Sequence, residues 1–431
     1  MRKKPHIPLL LLLSALFLSS LGGCKKEEAS YPIVEIFTPA SGSFFSVPDT
    51  IPVRARVADK DLRSVTVTLV DEDYRPIGET ASVSVKNNDF TFDLNYPILD
   101  PRINTGQYFI RIIASNNENT TRTYHDIRIT GLPRRSRGWL VASNSGLSPA
   151  SIGLVDSVGN LQALPGYPGP ISKLVASSYM RRYILCPYRL DDLFFRSTSD
   201  HSMLSSHTFL HPADYPVIRC ADGDDQVLFA ASADGRMFTF NEMGYSSTFP
   251  LEPGFEPMEM KVHEDGILMA MIQRNPIRYS IQWIRRTNGF VFSEAPILSK
   301  PMAICTGNSG RFFLFTNENG SGKVHLYQLG DALTTPLASP VFPEILTAIS
   351  VGSEQFVIST TAGLYFFQFN PGNSYPLTGQ AGGILAFDEE RSVLLSADKA
   401  TLFTYQWPSM QPGPSYIMQD SIADLQVLYN K

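Results

Sequence analysis

Few residues in this sequence have types and spacing that could perform chemistry. The only histidine cluster is His201, His207 and His211, and its spacing matches no metal motif, although imidazoles bind zinc. A metalloprotease helix motif, a G-x-S-x-G elbow and a P-loop are absent from the sequence. Carboxylates that meet from different parts of the chain remain open as a catalytic pair, because two of them can cleave glycosides. The pattern therefore favours binding over catalysis, and it predicts no cofactor and no metal site.

Cys24 is the residue with the clearest chemical role. Basic residues at positions 2–4 precede an apolar segment from Ile7 to Leu21, which is too short for a lasting membrane span but suits a signal-peptide core. The segment ends in Leu21-Gly22-Gly23-Cys24, which resembles the bacterial lipobox. That resemblance implies a lipoprotein signal peptide over 1–23 and lipidation of Cys24, and the alternative is an ordinary secretory signal cleaved before this cysteine. Acyl chains would hold the protein at a bilayer without a spanning helix.

The residues after Cys24 bear on location. Lys25-Lys26-Glu27-Glu28 resembles the charged signal that sends Bacteroidota lipoproteins to the outer face of the outer membrane, and the alternative is a merely soluble tether over 24–30. The full chain has 36 Lys and Arg against 41 Asp and Glu, a net charge of −5. Removal of a basic signal peptide makes the mature chain more acidic, which argues against a nucleic-acid partner.

Three further cysteines, at positions 186, 220 and 305, each lie in an apolar run. None belongs to a C-x-x-C pair that would suggest a metal or redox site. The sequence therefore predicts that these thiols are buried.

Residues 31–131 alternate between apolar and polar types in about seven short segments, as half-buried strands do. Gly106 and Tyr108 open the penultimate segment and resemble the tyrosine corner of immunoglobulin-like folds. The resemblance implies an Ig-like, PKD-like or cadherin-like β-sandwich. An acidic cluster suggests either a calcium site or turns that satisfy their own backbone; its members are Asp59, Asp61, Asp71, Glu72 and Asp73.

A Pro/Gly-containing basic segment, 132–138, predicts a linker, and apolar markers recur at intervals of about 40 residues beyond it. Each of the first six markers is followed by a second apolar run, most by an aromatic third run, and several by a polar fourth. This order resembles the blades of a β-propeller, with the aromatic side chains packed between blades. The first segment, Trp139 to Asn144, lacks an inner strand that Ile422 to Leu428 can supply. The sequence therefore predicts an all-β protein, with a seven-bladed propeller over 139–431 closed by a C-terminal strand.

A ligand is expected where the loops that enter the inner strands meet the turns between second and third strands. Those segments offer aromatic rings and hydrogen-bond donors suited to sugars or peptides: Tyr167, Tyr188, Arg189, Tyr215, Phe255, Arg274, Asn275 and Asn319. The domain order resembles that of Bacteroidota surface lipoproteins that accompany outer-membrane nutrient importers. It implies a surface protein that binds a glycan, peptide or protein. The alternatives are a surface lyase or hydrolase acting on carbohydrate, and a scaffold in a surface assembly.

Overall fold

The computed structural model describes residues 30–189, 192–208, 218–264 and 266–431, and every helix or strand assigned there is a β-strand. Cys24, the predicted signal peptide, most of the tether, His211 and Tyr215 lie outside the described residues. Within the described residues there is no helix of the length and apolar character needed to cross a membrane. The chain divides into two compact units, of which the first ends at Leu132 and the second runs from Pro133 to Lys431.

The described residues of the first unit form eight strands, where the sequence predicted about seven. A three-stranded sheet has the order β1-β3-β6 and a five-stranded sheet the order β2-β8-β7-β4-β5. The strands are β1 (Ile33–Thr38), β2 (Ser43–Ser46), β3 (Asp49–Ala58), β4 (Ser64–Val70), β5 (Ala81–Val83), β6 (Asp89–Ile98), β7 (Gly106–Ser115) and β8 (Thr120–Thr130).

Alternation along these strands builds the core of the first unit. Ile51, Val53 and Val57 of β3 are buried on one face, and they pack in one cluster with Ile110 and Ile112 of β7. The predicted acidic cluster divides between two turns, where carboxylates accept hydrogen bonds from the protein itself. Asp59 accepts from the backbone of Asp61 at 2.9 Å and from Asn116, while Asp71 accepts from the backbone of Arg75 at 2.8 Å.

The described residues of the second unit form seven sheets, named S1 to S7 in chain order. S1 holds β9 (Ser136–Ser143), β10 (Ala150–Asp156) and β11 (Leu161–Tyr167). S2 holds β12 (Ile171–Ser177), β13 (Arg182–Pro187), β14 (Leu193–Ser197) and β15 (Met203–His207). S3 holds β16 (Ile218–Gly223), β17 (Leu228–Ser232), β18 (Arg236–Asn241) and β19 (Gly244–Pro250). S4 holds β20 (Phe255–His263), β21 (Gly266–Arg274), β22 (Ile277–Ile284) and β23 (Val291–Ile297).

The remaining sheets complete the unit. S5 holds β24 (Lys300–Thr306), β25 (Arg311–Glu318), β26 (Ser321–Gln328), β27 (Thr335–Pro336) and β28 (Phe342–Pro343). S6 holds β29 (Ile345–Gly352), β30 (Gln355–Thr360), β31 (Gly363–Gln368) and β32 (Asn373–Leu377). S7 holds β33 (Ile384–Asp388), β34 (Val393–Asp398), β35 (Thr401–Gln406), β36 (Gln411–Pro412) and β37 (Tyr416–Ile417). The last strand of the chain, β38 (Ile422–Tyr429), joins S1 beside β9.

Strands follow one another antiparallel within each sheet, and the first strand of S2 to S7 is the marker segment recognised in the sequence. These six strands and β38 are called the inner strands, because they contact one another in the order β38, β12, β16, β20, β24, β29, β33 and back to β38. β38 pairs with β9 as predicted, with Leu425 opposite Val141 and Val427 opposite Trp139. β9 itself begins at Ser136, inside the segment 132–138 that the sequence suggested as a linker.

Aromatic side chains fill the spaces between neighbouring sheets, as the sequence predicted. The ring of Phe313 in S5 lies 4.7 Å from that of Phe356 in S6 and 5.0 Å from that of Phe369. The three cysteines at positions 186, 220 and 305 are free and buried in these same layers. The prediction of buried thiols is therefore confirmed.

A buried carboxylate joins the two ends of the second unit. Asp388, at the end of β33, is fully buried and accepts hydrogen bonds from the indole Nε1 of Trp139 at 2.8 Å and from the hydroxyl of Ser136 at 2.5 Å. Arg391 donates its backbone N–H to the same carboxylate and stacks its guanidinium over the Trp139 ring. Because S1 and S7 are far apart in sequence, this cluster is a non-local tie between them.

Candidate functional site

The inner strands share an irregularity at the end where the chain enters them. In six of them the register of pairing with the second strand shifts within the first five residues. These strands are β12, β16, β20, β24, β29 and β38. Such a β-bulge bends the strand and re-aims the following side chain. In β12, β20 and β38 the residue that follows the bulge is charged: Lys173, Glu259 and Asp424.

Lys173, Glu259 and Asp424 form what we call the central triad. Each is only half-buried, whereas the next residue along each strand, Leu174, Met260 or Leu425, is buried. Since successive strand residues face opposite sides, the triad side chains lie on the side of each strand opposite to Leu174, Met260 and Leu425.

The three charged groups of the central triad influence one another electrostatically. The carboxylate of Glu259, and secondarily that of Asp424, holds the pKa of Lys173 above its usual range against the cost of burial. Burial raises the pKa of both carboxyl groups, and the Lys173 ammonium opposes that rise without cancelling it. The positive charge of Lys173 thus offsets part of the electrostatic cost of burying the two carboxylates.

The two carboxylates differ in their hydrogen bonds. Asp424 accepts from the backbone N–H of Leu174 at 2.7 Å and from that of Leu425 at 2.9 Å, so it ties β38 to β12. Glu259 has no hydrogen-bond partner among the described residues. Its oxygens are therefore the acceptors that a ligand can use.

A second charged pair lies farther along the inner strands. Asp222 of β16 accepts from the backbone N–H of Val262 in β20 at 2.8 Å and lies 3.1 Å from the Lys261 ammonium. The Asp222 carboxylate raises the pKa of Lys261. A carboxylate that accepts a hydrogen bond from the backbone of the next inner strand thus occurs twice among these strands.

Arginines gather on one carboxylate where β20 begins. Glu256 accepts two hydrogen bonds from Arg274, at 2.5 Å from Nε and 2.8 Å from Nη2, and the Arg219 guanidinium lies 3.7 Å away. A forked arginine–carboxylate pair is geometrically specific. This cluster, named the entry ion cluster, places the predicted residue Arg274 beside two residues that sequence reasoning missed, Arg219 and Glu256.

Tyr167 has to be removed from the predicted ligand set. Its side chain is only 1% exposed, its hydroxyl donates to the carbonyl of Asp192 at 2.6 Å, and its ring packs edge-on against Phe194 at 4.9 Å. The aromatic side chain fills the space between S1 and S2 because burial there removes a large apolar surface from water.

The other predicted residues are at strand ends. Tyr188, Arg189, Asn275 and Asn319 are exposed in turns between second and third strands. Phe255 begins β20 half-buried against the core between S3 and S4. Tyr215 falls in the part of the chain that the structure does not describe. Sequence reasoning missed the central triad because single charges in apolar strands look like ordinary solvated positions, although a charge follows the bulge in three markers.

A separate cavity of about 380 Å³ lies in the outer part of S7. The backbone N–H of Gln380 donates to the hydroxyl of Tyr405 at its wall, at 2.7 Å. Among the described residues, no charged side chain lines it, so it offers no counterpart to the charged groups of the inner strands.

No protein-family model matches the sequence, and no curated protein matches it. The crystal structure of a protein from Lactobacillus plantarum, a structural-genomics target, is similar over 68% of this chain and 100% of its own, with 11% identity and a TM-score of 0.51. Hydrazine synthase from Kuenenia stuttgartiensis is similar over 55% of this chain and 76% of its own, with 7% identity and a TM-score of 0.45. At such identities only the fold is comparable. With its many successive sheets, the chain has an all-β, β-propeller-like fold.

Proposed function

We propose that this protein is a non-catalytic, lipid-anchored surface protein whose second unit binds a glycan, peptide or protein through the entrance to its inner strands. The observation that carries this proposal is the grouping of the entry ion cluster and the central triad on inner strands and their immediate neighbours. Most of these polar groups are fixed by ion pairs or backbone hydrogen bonds, while Glu259 retains free acceptors. A preorganised polar set with unused hydrogen-bonding capacity is typical of recognition sites.

We infer that the second unit is a closed propeller of seven blades. Support comes from the seven sheets, from the pairing of β38 with β9 and from the cyclic contacts of the inner strands. Closure of this kind protects strand edges and creates one central entrance lined by several sheets.

The first unit is proposed to be an Ig-like module. Its strand order, with β2 pairing parallel to the last strand β8, is consistent with that assignment. A further support is the hydroxyl of Tyr108, which donates to the carbonyl of Asn104 at 2.9 Å, since a tyrosine near the start of the penultimate strand bonds upstream backbone in such folds.

The proposed location depends on the sequence alone. Cys24 would carry the lipid and the charged residues behind it would direct the protein to the exterior face of the outer membrane, as the resemblance to Bacteroidota lipoproteins implies. A surface-anchored binding protein of this kind would act beside an outer-membrane nutrient importer. Its ligand would then be captured outside the cell.

One observation favours an enzyme as the second candidate function. Glu259 and Asp424 are two carboxyl groups with raised pKa values near one cation, and groups of that kind serve as acids in carbohydrate cleavage. Binding is preferred because both oxygens of Asp424 already accept backbone hydrogen bonds.

A glycan and peptide array probed with the mature protein tests the proposal. Arg274→Ala and Glu259→Gln should each lower the affinity for the ligand found by about 10- to 100-fold, since a hydrogen bond to a charged group contributes about 1.5–3 kcal/mol. Arg311→Ala is the matched control, because this arginine pairs with Glu354 at 2.8 Å at the opposite ends of the strands. Unchanged affinity in both site variants would place binding elsewhere. New reducing or unsaturated ends in the glycan would favour the enzyme.

A further inference from the structure

The first unit carries an exposed aromatic cluster on the outer face of its five-stranded sheet. Tyr108, Ile110 and Ile112 of β7 point into the core, so the alternate residues Phe109 and Arg111 lie on the other face. Tyr124 of β8 lies opposite Arg111 in the strand pairing.

Tyr74 completes this cluster from the turn that follows β4. Its ring stacks on Phe109, with centroids 5.4 Å apart and planes inclined by 29°. The same ring meets Tyr124 at 4.8 Å and 67°. Two ring planes at such an angle form an open corner rather than a flat patch.

Both tyrosines remain accessible in spite of these ring contacts. Tyr74 is 51% exposed and Tyr124 is 38% exposed, and neither hydroxyl has a hydrogen-bond partner among the described residues. Arg111 is half-buried beside them, and its buried Nε–H has no hydrogen-bond partner among the described residues. The corner therefore combines apolar ring faces with two accessible phenol hydroxyls, next to a half-buried guanidinium.

The backbone of Tyr74 gives an independent reason to assign its ring a role. Its φ is +64°, a left-handed conformation that favours Gly, Asn or Asp over a bulky residue. The turn is held by hydrogen bonds from Tyr74 N to the carbonyl of Asp71 and from Asp71 N to the carbonyl of Arg75, both 3.0 Å. Strained positions of this kind concentrate at ligand sites.

We propose that Tyr74, Phe109, Tyr124 and Arg111 form a carbohydrate-binding platform that takes a neutral hexopyranose unit of a glycan. The apolar C–H face of such a sugar matches an exposed aromatic ring, and its ring of hydroxyls supplies acceptors for Arg111 and partners for the two phenols. The charges around the corner are mixed, because the turn holds Asp71, Glu72 and Asp73 together with Arg75, which lies 3.6 Å from Asp73, and Arg111 adds a second cation on the sheet. A neutral ligand fits this balance. This site is distinct from the one proposed in the second unit.

Affinity gel electrophoresis of the whole mature protein tests the platform. The probes are soluble galactomannan, xyloglucan, mixed-linkage β-glucan and starch, each cast into a native gel. We expect at least one of them to retard the wild-type protein, with retardation reduced at least tenfold in Tyr74→Ala and in Tyr124→Ala. Phe37→Ala is the matched control, because Phe37 is also 51% exposed but lies on β1 in the other sheet, and it should leave retardation unchanged.

A second variant separates binding from folding. Tyr74→Asn suits the left-handed backbone, so it should abolish retardation while the melting temperature stays the same or rises. Absence of retardation by all four polysaccharides, or unchanged retardation in Tyr74→Asn, would overturn the platform. Loss of retardation in Arg274→Ala with Tyr74→Ala unaffected would assign the sugar to the second unit instead.

Discussion

Leu425 offers a direct test of how the C-terminal strand supports the second unit. It is only 2% exposed and packs in one cluster with Trp139 and Val141 of S1 and Leu395 of S7. Shortening it to alanine removes three buried carbons and leaves a cavity that neighbouring sheets can fill only partly. Leu425→Ala should therefore lower the free energy of unfolding by about 2–5 kcal/mol.

That loss is large on the scale of the protein, because domains unfold with a net free energy of about 5–15 kcal/mol. Removing residues 420–431 extends the same reasoning. It deletes three buried aliphatic side chains, Ile422, Leu425 and Leu428, whose burial contributes about 1.5–3 kcal/mol each. Val427 is only half-buried and contributes less. The truncated second unit should aggregate or melt far earlier.

Urea unfolding followed by tryptophan fluorescence measures the effect in the relevant unit. The three tryptophans of the chain, Trp139, Trp283 and Trp407, all belong to the second unit. Gln426→Ala is the control, since this half-buried neighbour makes no side-chain hydrogen bond with the described residues and should change stability by less than about 0.5 kcal/mol. A Leu425→Ala protein with the wild-type urea midpoint would refute the packing argument, and the strand would then have to be assigned a different role.

Further predictions concern charge, thiols and location. Lys173→Met should destabilise the protein increasingly as pH rises from 5 to 8. Without the ammonium, the already raised pKa values of Glu259 and Asp424 rise further, so the folded state binds more protons than the unfolded chain and loses stability with increasing pH. Equal losses of stability at pH 5 and pH 8 in thermal melts would contradict this. Burial raises the pKa of Cys305 to about 12, so mass spectrometry should find it unmodified by iodoacetamide at pH 8 until urea is added, and labelling of the folded protein would contradict the burial. Cys24→Ala should release the protein from the membrane fraction, and a variant that resists a high-salt wash there would exclude the lipid anchor.

Much of the secondary structure could be predicted because it is encoded locally. The inner-strand markers, such as the segment around Lys173, carry apolar runs bounded by turn residues, and all of them are strands. The fourth strands of S5 and S7 are less regular than expected and split into two-residue pieces. Pro336, Pro343 and Pro412 lie in those pieces, and proline cannot donate to a strand ladder.

The candidate site was harder to predict, because its members come from separate sheets. Arg274 was selected from its position in a turn, but its partner Glu256 lies 18 residues away on another strand. Tyr167 was chosen for the same kind of position, yet the adjacent sheet buries it. A turn aromatic that binds a ligand and one that fills a gap have the same local sequence, and only the packing of neighbours separates them.

The sequence by itself determined the strand segments, their repetition, the buried thiols and the aromatic layers, because apolar periodicity and side-chain size act over a few residues. Tertiary structure alone decided which charges meet. Lys173, Glu259 and Asp424 are brought together from β12, β20 and β38 by strand pairing and by a bulge in each strand, and neither their coupling nor their shifted pKa values exist in the unfolded chain. The aromatic corner of Tyr74 and Tyr124 depends in the same way on a turn placed over a sheet, since residues 50 positions apart interact only after the backbone hydrogen bonds between strands have formed.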